Sequence, residues 1–168
     1  MVAADGMIKI KINDNIFKLI RPYCQIAKGM SEAGGILIGR ENISNDNLII
    51  EAISEPMAGD KKTRTRFIRQ DQGHVSFFQK KYDESNGTIR YVGEWHTHPE
   101  DIPHYSVIDL NNWKRIKRES RDVKDQYHLI AGRKAIVLWK YSNEKLCPIK
   151  ILSYTWDDII MKIATKEG

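Results

Sequence analysis

Cysteine is scarce in this sequence, and its two copies, Cys24 and Cys147, form no metal-binding or disulfide pattern. That scarcity argues against a disulfide framework and against a structural zinc site closed by cysteines. Long hydrophobic runs are also lacking, since the longest apolar stretches, such as residues 135–139, are far too short to cross a bilayer. The first residues alternate lysine with isoleucine and contain no apolar stretch of the signal-peptide type. We therefore expect a soluble cytoplasmic protein without a membrane partner.

Negative charge does not dominate either: the formal net charge is +5, with basic clusters at residues 61–69 and 114–121. Such clusters can attract nucleic acid or an acidic protein partner, but charge runs more often form a solvated surface. Because no zinc finger, aromatic RNA-binding signature or phosphate-binding loop accompanies them, we expect no nucleic-acid partner.

The 168 residues match the size of one domain with a single core, so residues 1–168 are expected to form one domain. Hydrophobic periodicity predicts strands at 7–12, 34–40, 47–54, 88–98, 126–132, 135–141 and 148–154. It predicts helices at 13–30 (kinked or shortened by Pro22), 72–85, 106–120 and from Trp156. Residues 55–66 are expected to be a surface loop, followed by a short strand at 67–69. This order predicts an α/β fold with a mixed central sheet between helices.

Histidines are concentrated in "GEWHTHPEDIPHYSVID", residues 93–109, which contains three of the five in the chain. Alternate side chains of a strand share a face, so His96 and His98 project to the same side, about 7 Å apart along the chain. A helix that begins at Ser106 would place Asp109 one turn in, facing that strand. Two imidazoles and one carboxylate suit Zn²⁺ with the fourth position open for water, which is the arrangement of catalytic zinc sites.

Each part of this pattern also has an ordinary structural interpretation. Ser106 and Asp109 alone form a capping box that needs no metal, and a single strand histidine is usually packed or exposed. The combination is much rarer than its parts and favours a metal site. His104 is expected at the rim, and His74 and His128 are expected to be structural.

Hydrolysis at such a site also needs a carboxylate that takes a proton from water and hands it to the leaving amine. Local sequence leaves four candidates open, namely Glu32, Glu94, Glu100 and Asp101. Spacing alone does not decide between them.

Taken together, Glu32 followed by "GGILIG", then "HTHP" and "SVID", resembles the JAMM motif of MPN-domain metallopeptidases. The resemblance implies a cytidine-deaminase-like three-layer α/β fold (a JAB1/MPN domain) and zinc-dependent hydrolysis of the isopeptide or peptide bond after a ubiquitin-like C-terminus. Carried over by position, it implies that His96, His98 and Asp109 bind Zn²⁺. The same resemblance implies that Glu32 is the general acid/base and that Ser106 stabilises the oxyanion.

The stretches "GEWHTHPE" and "DLNNW" look like prokaryotic JAB proteins encoded beside E1-like and E2-like enzymes, of which the deconjugating peptidases of CBASS anti-phage operons are the nearest type. The implied substrate is a ubiquitin-like or other conjugated protein. Two alternatives stay open: a JAMM peptidase that processes a sulfur-carrier protein, and a non-catalytic interaction module stabilised by zinc. A nucleobase deaminase is excluded because its paired cysteines are missing.

The resemblance also implies a role for the basic loop at residues 57–69, which corresponds to the loop that relatives place over the substrate groove. We expect it to help receive the extended C-terminal tail of the partner and to order as a strand on binding. The alternative is a flexible solvated loop without a role in recognition.

The sequence departs from the family pattern between His98 and Ser106. This stretch is usually rich in proline and serine in the family, whereas this chain has "PEDIPHY".

Overall fold

The computed structural model describes residues 2–5, 8–42, 44–45, 47–120, 125–142 and 147–167. Its strands are β1 Val2–Asp5, β2 Ile8–Ile12, β3 Gly34–Glu41, β4 Leu48–Ile53, β5 Lys61–Thr63, β6 Arg66–Ile68, β7 Arg90–Thr97, β8 Asp125–Ala131, β9 Ala135–Ser142 and β10 Ile149–Thr155. Its helices are α1 Asp14–Ile20, α2 Gly73–Glu84, α3 Val107–Glu119 and α4 Trp156–Glu167, with a 3-10 turn at Arg21–Tyr23. No helix in these ranges is long and apolar enough to span a membrane.

Eight of the strands form one sheet in the order β1-β2-β4-β3-β7-β8-β9-β10. The pairs β2/β4 and β7/β8 are parallel, and the other neighbours are antiparallel. The mixed sheet predicted from the alternation of elements is therefore confirmed.

Helices cover both faces of this sheet. Leu37 and Leu129 point to one face and pack with apolar residues of α1 and α4. Their neighbours Ile36 and Ile130 point to the other face, towards α2 and α3. The resulting helix–sheet–helix layering agrees with the predicted α/β class.

The helix predicted at 13–30 is shortened by Pro22, as expected: α1 ends at Ile20, and a 3-10 turn follows. Pro22 lies in the 3-10 turn that follows α1, because its ring cannot continue the backbone ladder of a helix. Residues 24–30 are not helical, and Ile26 is 61% exposed. In α3, Trp113 and Ile116 are buried, whereas Val107 in the first turn is 74% exposed.

The sequence patterns also did not predict the hairpin that lies inside the expected surface loop. Strands β5 and β6 pair antiparallel as a separate two-stranded sheet, with Lys62 opposite Phe67. The short strand expected at 67–69 is observed as Arg66–Ile68, and β1 was not predicted at all.

Candidate metal centre

Strand β7 brings His96 to the face of the sheet on which α3 lies. Trp95 is buried among the residues that pack with α1 and α4, so His96, the next residue, points to the opposite face. Within β7, Gly93 has a φ of 153° and no room for a side chain, because an added Cβ would collide with the carbonyl oxygen of Tyr127 on β8. Glycine at this position permits the close approach of β7 and β8.

His98 lies one residue beyond the end of β7 but keeps the register of the strand, because its backbone N–H donates to the Ala131 carbonyl, 3.0 Å away. Its side chain therefore projects to the same side as that of His96, as predicted. The two Nε2 atoms are 3.0 Å apart. Both rings turn towards one point between them.

Asp109 completes this cluster from the first turn of α3. Its Oδ1 lies 3.2 Å from His96 Nε2, and its Oδ2 lies 3.3 Å from His98 Nε2. Ser106 is the N-cap, and its backbone N–H and hydroxyl donate to Asp109 Oδ2 at 2.6 and 2.7 Å. The capping box and the histidine cluster thus use the same carboxylate, and the two interpretations of this sequence are not alternatives.

The three side chains fit a divalent cation. One nitrogen of each histidine and one carboxylate oxygen of Asp109 all lie within 4.8 Å of one another. Burial alone would raise the pKa of Asp109, but hydrogen bonds from His96 and His98 outweigh it and hold that pKa well below its usual value. The carboxylate therefore stays ionised, and nitrogen and oxygen donors of this kind suit Zn²⁺.

Glu32 reaches the centre from the residues just before β3. The β3/β7 register brings it there: Thr97 N–H donates to the Ala33 carbonyl at 2.9 Å, so Glu32 comes beside His98. Glu32 is only 4% exposed, and its Oε1 lies 3.9 Å from His98 Nε2. Burial, with a smaller contribution from the charge of Asp109, raises the pKa of Glu32 to about 8.

The structure places the other candidate carboxylates differently. Glu94 is held in an ion pair by Arg69 at 2.8 Å, and Asp101 is paired with Arg133 at 2.8 Å. Both carboxylates are therefore paired with an arginine, although Glu94 also lines the cleft described below.

Glu100 has a position that sequence reasoning missed. Its Oε2 lies 3.5 Å from His98 Nδ1, on the side of the ring opposite the metal-facing nitrogen. A carboxylate there helps to orient the imidazole, and the same oxygen also accepts the His104 backbone N–H at 2.9 Å. The signal was the "PE" that directly follows "HTH" in the sequence.

The remaining histidines lie outside the cluster, as expected. His104 is exposed and packs edge-on against Trp139. His128 is buried and stacks on Trp113 with ring centroids 4.3 Å apart, and its burial lowers its pKa well below the usual value. His74 is buried in a separate hydrogen-bonded chain.

A cleft of about 500 Å³ passes over the centre between β6 and α3. Glu32, His96, Ser106 and Asp109 line it together with residues 65–69 of the hairpin and 111–113 of α3. The cleft leads from the metal-ligating atoms along α3 as far as Arg115. An extended polypeptide can therefore reach the centre along this path.

Comparison with known proteins agrees with the fold and with the family resemblance. Residues 26–145 match the family described as prokaryotic homologs of the JAB domain. A CD-NTase/cGAS isopeptidase of Pseudomonas aeruginosa (strain BWHPSA011 / Pa011) is 34% identical over 136 residues, which are 81% of this chain and 85% of that protein.

A second CD-NTase/cGAS isopeptidase, from Vibrio cholerae serotype O1 (strain ATCC 39315 / El Tor Inaba N16961), is 34% identical over 143 residues, 84% of this chain and 87% of that protein. The solution structure of a Desulfitobacterium hafniense protein superposes with a TM-score of 0.55 at 15% identity, covering 85% of this chain and 91% of that one, and supports the fold alone. The chain belongs to the family of prokaryotic homologs of the JAB domain.

Proposed function

We propose that this protein is a JAMM-type zinc isopeptidase that releases a protein whose C-terminal carboxyl has been conjugated to an amine. The observation that carries the proposal is the convergence of His96, His98 and Asp109 beside the buried Glu32, at a cleft that Glu32, His96 and Asp109 line. Two relatives are CD-NTase/cGAS isopeptidases, which supports a CD-NTase as the conjugated protein. The resemblance of the sequence adds a role in CBASS anti-phage defence with E1-like and E2-like partners.

The donor set assigns His96, His98 and Asp109 to hold the cation, and a zinc ion there would supply Lewis-acid activation of water and of the scissile carbonyl. Glu32 takes the proton of the attacking water and passes it to the leaving amine. A carboxyl with its pKa raised to about 8 by burial is suited to both transfers near neutral pH. Glu100 holds the His98 ring in place through Nδ1.

Ser106 is the proposed donor to the oxyanion that forms at the scissile carbonyl. Its hydroxyl is exposed at the start of α3 and donates to Asp109 Oδ2 at 2.7 Å. Rotation about its Cα–Cβ bond directs the hydroxyl into the cleft instead, where charge develops during attack. The backbone N–H of Ser106 still holds Asp109 Oδ2 in that state.

Cleavage of a purified conjugate tests the function. With a CD-NTase joined through its C-terminal carboxyl to a lysine side chain, we expect release of intact CD-NTase and free amine. Chelation should abolish release, and added Zn²⁺ should restore it. Binding without cleavage by zinc-loaded protein would identify an interaction module instead. Release of cysteine from a sulfur-carrier protein, with no action on the conjugate, would identify the biosynthetic alternative.

The hairpin β5–β6 forms one wall of the cleft, and we propose that it receives the tail of the conjugated protein. Four exposed cations lie on it, namely Lys61, Lys62, Arg64 and Arg66. They are placed to pair with acidic groups of the partner, which increases the association rate and makes it dependent on salt. Residues 61–63 and 66–68 are already paired as strands in the absence of a partner, so the strand expected to order on binding is present beforehand.

Changing these four cations to serine should lower kcat/KM at least about fivefold at low salt and flatten its salt dependence, with kcat nearly unchanged. A matched control loses four exposed lysines outside the cleft, namely Lys9, Lys11, Lys80 and Lys150. Both variants lose the same charge, so their comparison separates a local role from a net-charge effect. Equal kcat/KM and salt slopes in the two variants would show that the hairpin cations play no part in recognition.

A further inference from the structure

A buried Ser–His–Asp chain lies outside the metal centre. Ser54 follows β4, His74 is in the first turn of α2, and Asp60 directly precedes β5. Ser54 Oγ is 2.6 Å from His74 Nδ1, and His74 Nε2 is 2.9 Å from Asp60 Oδ2. The bonding pattern assigns a tautomer in which Ser54 donates to Nδ1 and Nε2–H donates to the carboxylate.

This chain is not built to act as a second nucleophile. Ser54 is 1% exposed, and its hydroxyl oxygen already accepts the Ile36 backbone N–H at 2.9 Å. In serine hydrolases the nucleophile bonds the Nε2 of the histidine and the aspartate bonds Nδ1, whereas here the two contacts are reversed. No substrate carbonyl can reach Ser54 in this position.

Asp60 instead closes the base of the hairpin. Its Oδ2 accepts the Met57 backbone N–H at 2.8 Å, and its Oδ1 accepts those of Gln70 and Asp71 at 3.0 and 3.1 Å. These amides flank β5 and β6 on both sides. One carboxylate, fixed by His74, therefore sets the position of both strands where they leave the body of the protein.

The far end of the hairpin lies on the segment that carries Glu32. The Glu32 backbone N–H donates to the Thr63 carbonyl at 2.8 Å, and Gln25 Nε2 donates to the Arg64 carbonyl at 2.7 Å. The ring of Phe67 lies against Gly34, where an added Cβ would come within 2.6 Å of it. The same strand β3 that contacts the hairpin here also supplies the Ile36 amide at the other end of the buried chain.

We infer that Ser54, His74 and Asp60 are positioning residues, which fix the hairpin relative to β3 and so set the width of the cleft in which the substrate tail lies. The inference rests on the proposed function, because it concerns the binding of that tail. The chain runs from β3 to Asp60 through three buried hydrogen bonds, and the bonds from Asp60 to the amides at the hairpin base are partly buried. Such a linkage tolerates little displacement.

The test compares Asp60→Ala with Asp60→Asn and with Trp156→Phe. Asp60→Asn keeps an oxygen for the Gln70 and Asp71 amides, but its NH2 group replaces the oxygen that accepts the Met57 and His74 N–H groups. Trp156→Phe removes a buried hydrogen bond to the Gly132 carbonyl (2.9 Å) in the layer formed by α1 and α4. It is the control that shows the effect of a general loss of stability on both readouts. The readouts are KM and kcat on the conjugate, and hydrogen exchange of amides 61–68 without substrate.

We expect Asp60→Ala to raise KM at least about tenfold with kcat within about threefold of the parent value. Exchange at 61–68 should accelerate at least about tenfold beyond that of Trp156→Phe, and Asp60→Asn, which loses only the acceptor for Met57 and His74, should lie between the parent and Asp60→Ala in both properties. If Asp60→Ala matches Trp156→Phe in both readouts, the chain is merely structural. If Asp60→Ala does not fold, Ser54→Ala breaks the same chain at its other end. Should the parent cleave no conjugate, the proposed function fails, and hydrogen exchange still decides the positioning role.

Discussion

Replacement of His98 by alanine is expected to remove the bound metal and nearly all activity. The parent protein should contain about one zinc ion per chain, and His98→Ala should contain almost none. Loss of Lewis-acid activation is worth several kcal/mol, so kcat/KM should fall at least about a thousandfold. Metal analysis of the two purified proteins and single-turnover assays measure both quantities.

His104→Ala is the matched control, because His104 is exposed on the same loop and lies outside the cluster. It should keep its zinc and most of its rate. Equal zinc contents in the parent and His98→Ala would overturn the assignment of the ligands. Loss of zinc with retained cleavage would instead separate the metal from catalysis.

Replacement of Glu32 by glutamine should leave the zinc content unchanged and lower kcat at least about 100-fold, the contribution of an acid/base group. Glutamine has nearly the same shape, so the loss isolates proton transfer from packing. Glu94→Gln removes a carboxylate that is bound to Arg69, and its kcat should stay close to that of the parent. The reverse result, with Glu94→Gln inactive and Glu32→Gln active, would show that the base is Glu94 and not Glu32.

Ser106→Ala provides a graded comparison in the same assay. It should lower kcat less than Glu32→Gln does, because Lewis-acid activation of the carbonyl does not depend on the hydroxyl. It also removes the N-cap of α3, which should lower the free energy of unfolding by about 1 kcal/mol. A loss of stability without any change in kcat would limit Ser106 to its capping role.

The grouping of His96, His98 and Asp109 could be predicted from sequence because it depends on local periodicity. Strand alternation determines that the two histidines share a face, and the capping residues determine where α3 begins. The structure brings the three side chains together. Their action on zinc stays a prediction, tested by the metal measurements above.

The choice of Glu32 over Glu94 depends on contacts between distant segments. In the sequence Glu94 shares the parity of the histidines and is as good a candidate as Glu32. In the structure Arg69 neutralises Glu94, while the β3/β7 register places Glu32 beside His98 in a buried position. The family resemblance pointed to Glu32, but spacing within one strand carries no information about which residues pair across the sheet.

Sequence by itself determined the order and type of most elements, the mixed sheet, and the local motif of the metal centre, since each follows from periodicity or capping within a few residues. The exceptions are segments whose conformation depends on partners far along the chain. Residues 61–63 form a polar, charged strand that no local pattern predicts, and the hairpin is held by hydrogen bonds of Asp60, the Glu32 backbone N–H and Gln25. Residues 24–30 have apolar side chains at helical spacing but form no helix. Pro22 ends the hydrogen-bond pattern of α1, and Gln25 in this loop donates to the hairpin instead. Only the tertiary structure decided how the hairpin, the buried Ser54–His74–Asp60 chain and Glu32 meet around one cleft. The reason is that hydrogen bonds between distant segments form only after the folded sheet has brought those segments close together.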